Sequence, residues 1–444
     1  MRLGRKLLAI GGLMLLLLLP LALLGGLVGE RQQRAAEVVQ DIARASANPQ
    51  RVTAPLLRLD IERTVQRMER EGDDASVPRV PVTRTLRETR LLAAESVTVE
   101  AQLGTETRRR GLFDARIYQQ EAVVTARFRL PPLGEVDGQQ SARVREARWV
   151  LGLGDNRGIA ALDVRAEGQP LQPAPGTGVP WLPEGVHAVL PTPGVEGGTL
   201  TTEARLRLTG TSSLFWVPLA ETFQWTLTAD WPHPRFEGFA LPVEREVGAS
   251  GFRADWRLSA LASQAPERLA ACGGEGGCPD LEATAVGVAL LDPVDRYLMT
   301  DRAIKYALLF LGLVFGAVFL VEALGGAQVH PLHYLLVGLA LAVFFLLLLA
   351  LSEHLGFGLA YALAAGACVA LIGHYLTGVL GGWRRGLGLA GLLAGLYGAL
   401  YGLLQSEDYA LLLGAVLLFV VLATTMVLTR RLDWSRVGEP PPVP

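Results

Sequence analysis

Apolar stretches as long as a bilayer is thick constrain this 444-residue chain more than any other feature, and they lie only toward its two ends. A hydrocarbon core about 30 Å thick takes roughly 20 apolar residues in a helix. Leu7–Val28 is one such stretch. After Arg302 come Ala303–Leu324, Leu332–Leu351, Gly356–Tyr375, Leu387–Leu404 and Tyr409–Thr429. Inside lipid the backbone must satisfy its own hydrogen bonds, so each stretch is expected as a helix. Half the residues are hydrophobic and the mean hydropathy is +0.32, too apolar for an ordinary soluble enzyme.

The first stretch follows Arg2, Arg5 and Lys6 and ends in GGLVGERQQR. A secretory signal has a shorter apolar region and a small-residue cleavage site. Residues 1–29 are therefore expected to be an uncleaved transmembrane anchor. Basic residues favour the cytoplasmic side of short loops. Arg2, Arg5 and Lys6, then Arg384 and Arg385, then Arg430, Arg431 and Arg436 fall on one side if both termini are cytoplasmic. Arg302 and Lys305 run against the rule, and either pairing with Asp295 and Asp301 or a hold by the large domain, exported regardless of local charge, would account for them. Residues 30–301 are then exported, residues 302–429 form a bundle of five spans, and residues 430–444 are a cytoplasmic tail.

The exported region carries 31 Arg against 37 Asp plus Glu, a net charge of −6, which gives no electrostatic case for nucleic acid. Arg31–Ala47 continues the anchor as a helix. SVTVEAQL, ARIYQQEAVVTARFRL, TTEARLRLTG, ETFQWTLTAD and SGFRADWRLS alternate apolar and polar residues, as half-buried strands do. GDNRG reads as a turn and VPWLPEGVHAVLPTPGVEGG as a long loop. The expected class is a mixed membrane protein. It joins an N-terminal transmembrane anchor to a large extracytoplasmic antiparallel β-domain, built as a sandwich, and to a C-terminal α-helical bundle. Cys272 and Cys278 close a Gly-rich loop that outside the cytoplasm suits a local disulfide, with two free thiols as the alternative.

Chemistry is harder to find. The chain has no G-x-S-x-G elbow, H-E-x-x-H, Walker loop or dinucleotide fingerprint, so no cofactor is expected. WPHPRFEGFALP reads as a rigid surface turn rather than a glycan-stacking platform. His330 and His333 stand at i, i+3 toward the cytoplasmic end with Glu322 and His374. Metal binding and interfacial snorkelling both fit that pattern, and no metal site is assigned. Gly391, Gly395, Gly398 and Gly402 form a narrow stripe on one helical face, expected to pack against another helix within the chain or between copies. On the outer side, Ser352, Glu353 and His354 in one loop match Ser406, Glu407 and Asp408 in another. These six form the candidate outer polar cluster. Asp408 is also placed to cap the last helix.

HPLHYLLVGLALAVFFLLLLALSEHLGFGLAYALAAGACVALIGHYL and LYGALYGLLQSEDYALLLGAVLLF resemble the membrane core of the CreD family, inner-membrane proteins of Gram-negative bacteria. GVALLDPVDRYLMTDRAIKYALLF and WPHPRFEGFALPVEREVGASGFRADWRLSALA are similar to the same family. GDNRGI departs from the family's S-D-P-R-G-I turn, and His333 stands where other members often have Gln. The resemblance implies a role in cell-envelope integrity, colicin tolerance and control by a two-component system, and it names no reaction. The leading expectation is a non-enzymatic inner-membrane protein whose periplasmic domain binds an envelope protein or glycan, with membrane lipid around the bundle. A transporter or channel for a small envelope solute is the alternative, and a hydrolase of lipid or glycan the third. The oligomeric state stays open.

Overall fold

The computed structural model describes residues 3–69, 80–133, 140–194, 196–272, 278, 280–290, 296–325, 329–380, 382–406 and 409–430. The chain divides into two compact units: Glu37–Pro293, and Met1–Ala36 together with Val294–Pro444.

The first of these is built from strands β1 (Gln50–Glu69), β2 (Val80–Arg110), β3 (Phe113–Leu130), β4 (Gln140–Gly152), β5 (Ile159–Ala166), β6 (Gln169–Leu171), β7 (Pro173–Pro175), β8 (Gly185–Leu190), β9 (Gly198–Thr211), β10 (Ser213–Val217), β11 (Ala220–Ala229), β12 (Pro234–Gly238), β13 (Glu244–Gly248), β14 (Gly251–Ser259) and β15 (Val286–Leu290). All are joined in one hydrogen-bonded network. β2 links its two halves. Residues up to Ala93 pair with β1, whereas Ala94 to Leu103 pair with β11 and Ser96 to Arg110 with β3. Pairing is mainly antiparallel, but β1–β10 and β2–β11 are parallel, which corrects the wholly antiparallel expectation. Both parallel contacts use stretches of long strands that a hairpin turn does not constrain.

The alternation read from sequence is visible in β3, where Tyr118, Gln120, Ala122, Val124, Ala126 and Phe128 are buried and the residues between them exposed. Ile117 and Tyr118 are both buried, so the phase of the pattern changes there. The core includes Trp149, Trp216, Trp225 and Trp256, with the last two stacked at 4.3 Å between ring centroids. Two loop readings need correction. VPWLPEGVHAVLPTPGVEGG contains β8, which pairs with β4 because Val186, Ala188 and Leu190 have one buried face to fill. WPHPRFEGFALP contains β12, paired with β15. The Trp231 ring is covered by the Arg116 guanidinium at 3.8 Å.

The other unit is helical: α1 (Leu3–Ala45, whose last residues belong to the β-unit), α4 (Arg296–Lys305), α5 (Ala307–Gly325), α6 (Pro331–Ser352), α7 (Phe357–Val379), α8 (Trp383–Gln405) and α9 (Ala410–Thr429). Two short helices, α2 (Ala260–Ser263) and α3 (Ala265–Ala271), belong to the β-unit. Among the described residues five helices are long and apolar enough to cross a membrane, α1 and α6 to α9. The expected span Ala303–Leu324 is not one straight helix. α4 and α5 meet at a 49° bend and make a sixth span only if counted together. Lys305 pairs with Asp301 at 2.6 Å, as the charge pattern suggested, while Asp295 lies outside the described residues.

Candidate functional site

Within the helical unit, α1 turns one apolar stripe to its neighbours. Ile10, Leu17, Leu21 and Val28 are buried, while Leu8, Leu15, Leu19 and Leu23 are exposed. That is the spacing of one helical face. Leu17 seats against Gly338 of α6, where a Cβ would collide with it.

An ion pair stands near each end of that stripe. The Lys6 ammonium pairs with the Glu322 carboxylate and donates to the Val329 carbonyl at 2.9 Å. Glu322, 8% exposed, also accepts from the Tyr334 hydroxyl at 2.9 Å and the Val329 N–H at 3.3 Å. Both carboxylate oxygens are therefore satisfied, which a buried charge requires. Arg31, on the same helix, lies 3.5 Å from Glu353, and the Tyr297 hydroxyl donates to that carboxylate at 3.3 Å. Arg296 donates to the Ser352 and Glu353 carbonyls at 3.3 and 3.2 Å, a cation at the negative end of α6. Lys6 and Arg31 are about 38 Å apart along α1. The two carboxylates they meet flank α6, which is about 33 Å long.

The residues of the expected outer cluster differ in their surroundings. Ser352 and Glu353 are buried, and the Ser352 hydroxyl turns back to the Leu349 carbonyl at 2.9 Å. His354 is exposed, Ser406 is half-exposed at the end of α8, and Glu407 and Asp408 lie outside the described residues. At the other end His330 caps α6, its Nδ1 accepting from the Leu332 N–H at 3.2 Å. His333 Nδ1 faces the Tyr375 hydroxyl at 2.5 Å. Each histidine has its own structural bond, and no metal-holding group of three His, Cys, Asp or Glu occurs among the described residues.

Around Gly391, Gly395, Gly398 and Gly402, nothing lies within 4 Å of where a Cβ would stand. The close approach of α8 to α7 uses other residues: Gly373 against Ala390, at 2.8 Å from the added Cβ, and Gly386 against Thr377. Cys272 and Cys278 have their sulfurs bonded at 2.04 Å.

The last residues of α1 belong to the β-unit, and within that unit GDNRG becomes a clamp. Asp155 caps the 3-10 turn Asn156–Gly158 and is gripped by Arg157 through Nε at 3.0 Å and Nη2 at 2.6 Å. It also accepts from the Asn48 N–H at 3.1 Å. Arg157 donates to the Arg44 carbonyl at 2.5 Å, and Thr211 donates to the Ala47 carbonyl at 2.5 Å. The Arg157 bonds first, then those backbone N–H groups, hold the Asp155 carboxyl at about 2, against an opposing effect of burial. Gly158 is needed because a Cβ there would strike the Thr209 carbonyl.

A family model described as inner membrane protein CreD matches residues 2–435. The chain belongs to the CreD family. It is 36% identical to inner membrane protein CreD of Escherichia coli (strain K12) over 438 residues, covering 98% of this chain and 94% of that one. CreD membership and the apolar helices make it a multi-pass inner-membrane protein. Solved structures add no argument. A candidate nutrient binding protein of Legionella pneumophila aligns at a TM-score of 0.23 and 10% identity, over 50% of this chain and 77% of that one. An M1 zinc metallopeptidase of Deinococcus radiodurans aligns at 0.22 and 12%, over 80% and 96%.

Sequence reasoning missed the partners of Glu322 and Glu353. Lys6 carried a signal, being one of only two lysines in an Arg-rich chain. Arg31 and Tyr297 carried none, since nothing local says which distant carboxylate each will meet.

Proposed function

We propose that this chain supports envelope integrity without catalysis, as a membrane bundle with both termini cytoplasmic that holds a periplasmic β-domain able to bind an envelope partner. The observation that carries this reading is the use of the two membrane-end carboxylates. Glu322 and Glu353 are each neutralised by a cation of α1, so the acidic groups nearest to a working site serve instead to fix a helix. That helix runs without interruption to Ala45 and ends in the Asp155–Arg157 clamp. A transport path needs polar groups at mid-depth, whereas these lie about 33 Å apart with α6 between them. The partner surface fits the groove of about 740 Å³ on the exposed face of β2, β3, β5, β9, β11 and β14, where Glu100, Gln102, Glu121, Asp163, Arg205 and Arg253 mix both signs of charge.

A photo-crosslinking amino acid at Val123, exposed within that groove, tests the reading in intact cells. The expected result is a discrete envelope adduct, absent when the same probe stands at Leu411 of α9. Alkaline phosphatase fused after Arg384 should be inactive. An active fusion, or adducts from Leu411 alone, would overturn the reading.

A further inference from the structure

A groove of about 800 Å³ runs between α7 and α8, from Gly358, Tyr361 and Tyr401 at one end to Thr377 and Trp383 at the other. Along α7 it covers about 29 Å, the thickness of a hydrocarbon core. Ala365, Gly366, Ala394 and Gly398 line it with no more than a methyl group, and a Cβ at Gly366 or Gly398 would meet nothing within 4 Å. Tyr397 also lines it. That residue is 2% exposed, and the only group beside its hydroxyl among the described residues is the Cys368 thiol.

The mouth at Trp383 is charged. α8 starts at Gly382 without a side-chain cap, and its first turn carries Arg384 and Arg385. Cations at the positive end of a helix are unfavourable, and an anion there would relieve both the dipole and the arginines. The preference for basic residues in cytoplasmic loops explains their presence but not their position inside the helix. Neither arginine pairs with a described carboxylate, and Arg384 lies 5.8 Å from the Trp383 ring, which is exposed as interfacial Trp residues are.

We propose that this groove is a binding site for one anionic phospholipid. An acyl chain lies between α7 and α8, and the phosphate sits on the uncapped amino end of α8 between Arg384 and Arg385. The trough, lined by small residues and as long as the hydrocarbon core is thick, suits one acyl chain of the lipid, and the arginines favour an anionic headgroup. This site is separate from the partner surface of the β-unit and does not rest on it.

Native mass spectrometry of the delipidated full-length protein tests it, with phosphatidylglycerol or phosphatidylcholine of identical chains as probes. One phosphatidylglycerol should bind about tenfold more tightly than phosphatidylcholine, as two arginines near a membrane surface allow. Arg384→Gln with Arg385→Gln should erase that preference while some chain binding remains. Gly366→Leu with Gly398→Leu, which fill open space in the groove, should abolish the adduct, and Gly395→Leu outside the groove should keep it. Equal retention of both lipids by the unaltered protein would overturn the proposal. So would adducts indifferent to the filled groove, or displacement by inorganic phosphate alone. A melting curve on each variant separates lost binding from lost fold.

Discussion

Leu17 of α1 occupies the space that a side chain at position 338 of α6 would need. The anchor is therefore a packed member of the helical unit, seated by a glycine and held at either end by charge.

Gly338→Val in the full-length protein should lower the melting temperature by several degrees, since overpacking costs typically about 1–3 kcal/mol. Leu17→Ala in the same chain should recover much of the loss, because Leu17 makes the hardest collision, with Phe315 next at 3.1 Å. Equal effects of Gly338→Val with and without Leu17 would show that this seat is not the contact.

Removing one partner of a buried ion pair leaves the other charge stranded, at a cost of about 3–5 kcal/mol. Lys6→Met alone and Glu322→Leu alone should each be strongly destabilising. Lys6→Met together with Glu322→Leu should be milder than either. A thermal melt in detergent reads all three, and additive losses would deny the pairing.

Asp155 makes acid stability predictable. Its native value of about 2 lies below the ordinary carboxylate value of 3.8, so its contribution is complete above about pH 4 and drains as the pH falls toward 2. The stake is at most about 2 kcal/mol by linkage, reduced by solvent screening because the Arg157 side chain is half exposed. Asp155→Asn, which still caps, should lose part of that at pH 7 and melt with a flatter pH dependence between 4 and 2. Tryptophan fluorescence during denaturant titration at each pH checks it, and parallel profiles would remove Asp155 from the account.

Glycines on α8 should separate by face. Gly395→Leu enters open space and should shift the melting temperature by less than a degree or so, within the range of exposed substitutions. Gly386→Leu would drive into Thr377 and should destabilise clearly. A large loss at Gly395 would mean that a second copy covers the stripe.

The long apolar runs were legible because bilayer thickness is written directly into length. Strands such as Ala115–Leu130 were legible because a sheet with one buried face imposes alternation. What could not be read depends on tertiary placement. The break at Tyr306 is hidden inside a run of good helix formers. β8 sits among prolines and glycines that signal a loop, and its pairing with β4 decides otherwise. The partners of Glu353 depend on tertiary placement too: it meets Arg31 and Tyr297, neither of them near it in the chain.

The separation between Lys6 and Glu322 is 316 residues. At about 5–20 residues per second, a ribosome needs roughly 15–60 s to supply the second after the first. Through that interval the opening helix rests in lipid with neither the Gly338 seat nor its two carboxylates yet made. The β-unit, encoded between them, has time to fold first. Assembly of the bundle is then a late event, timed by the emergence of α5 and α6, and a nascent chain cut before Glu322 should hold its first helix only loosely.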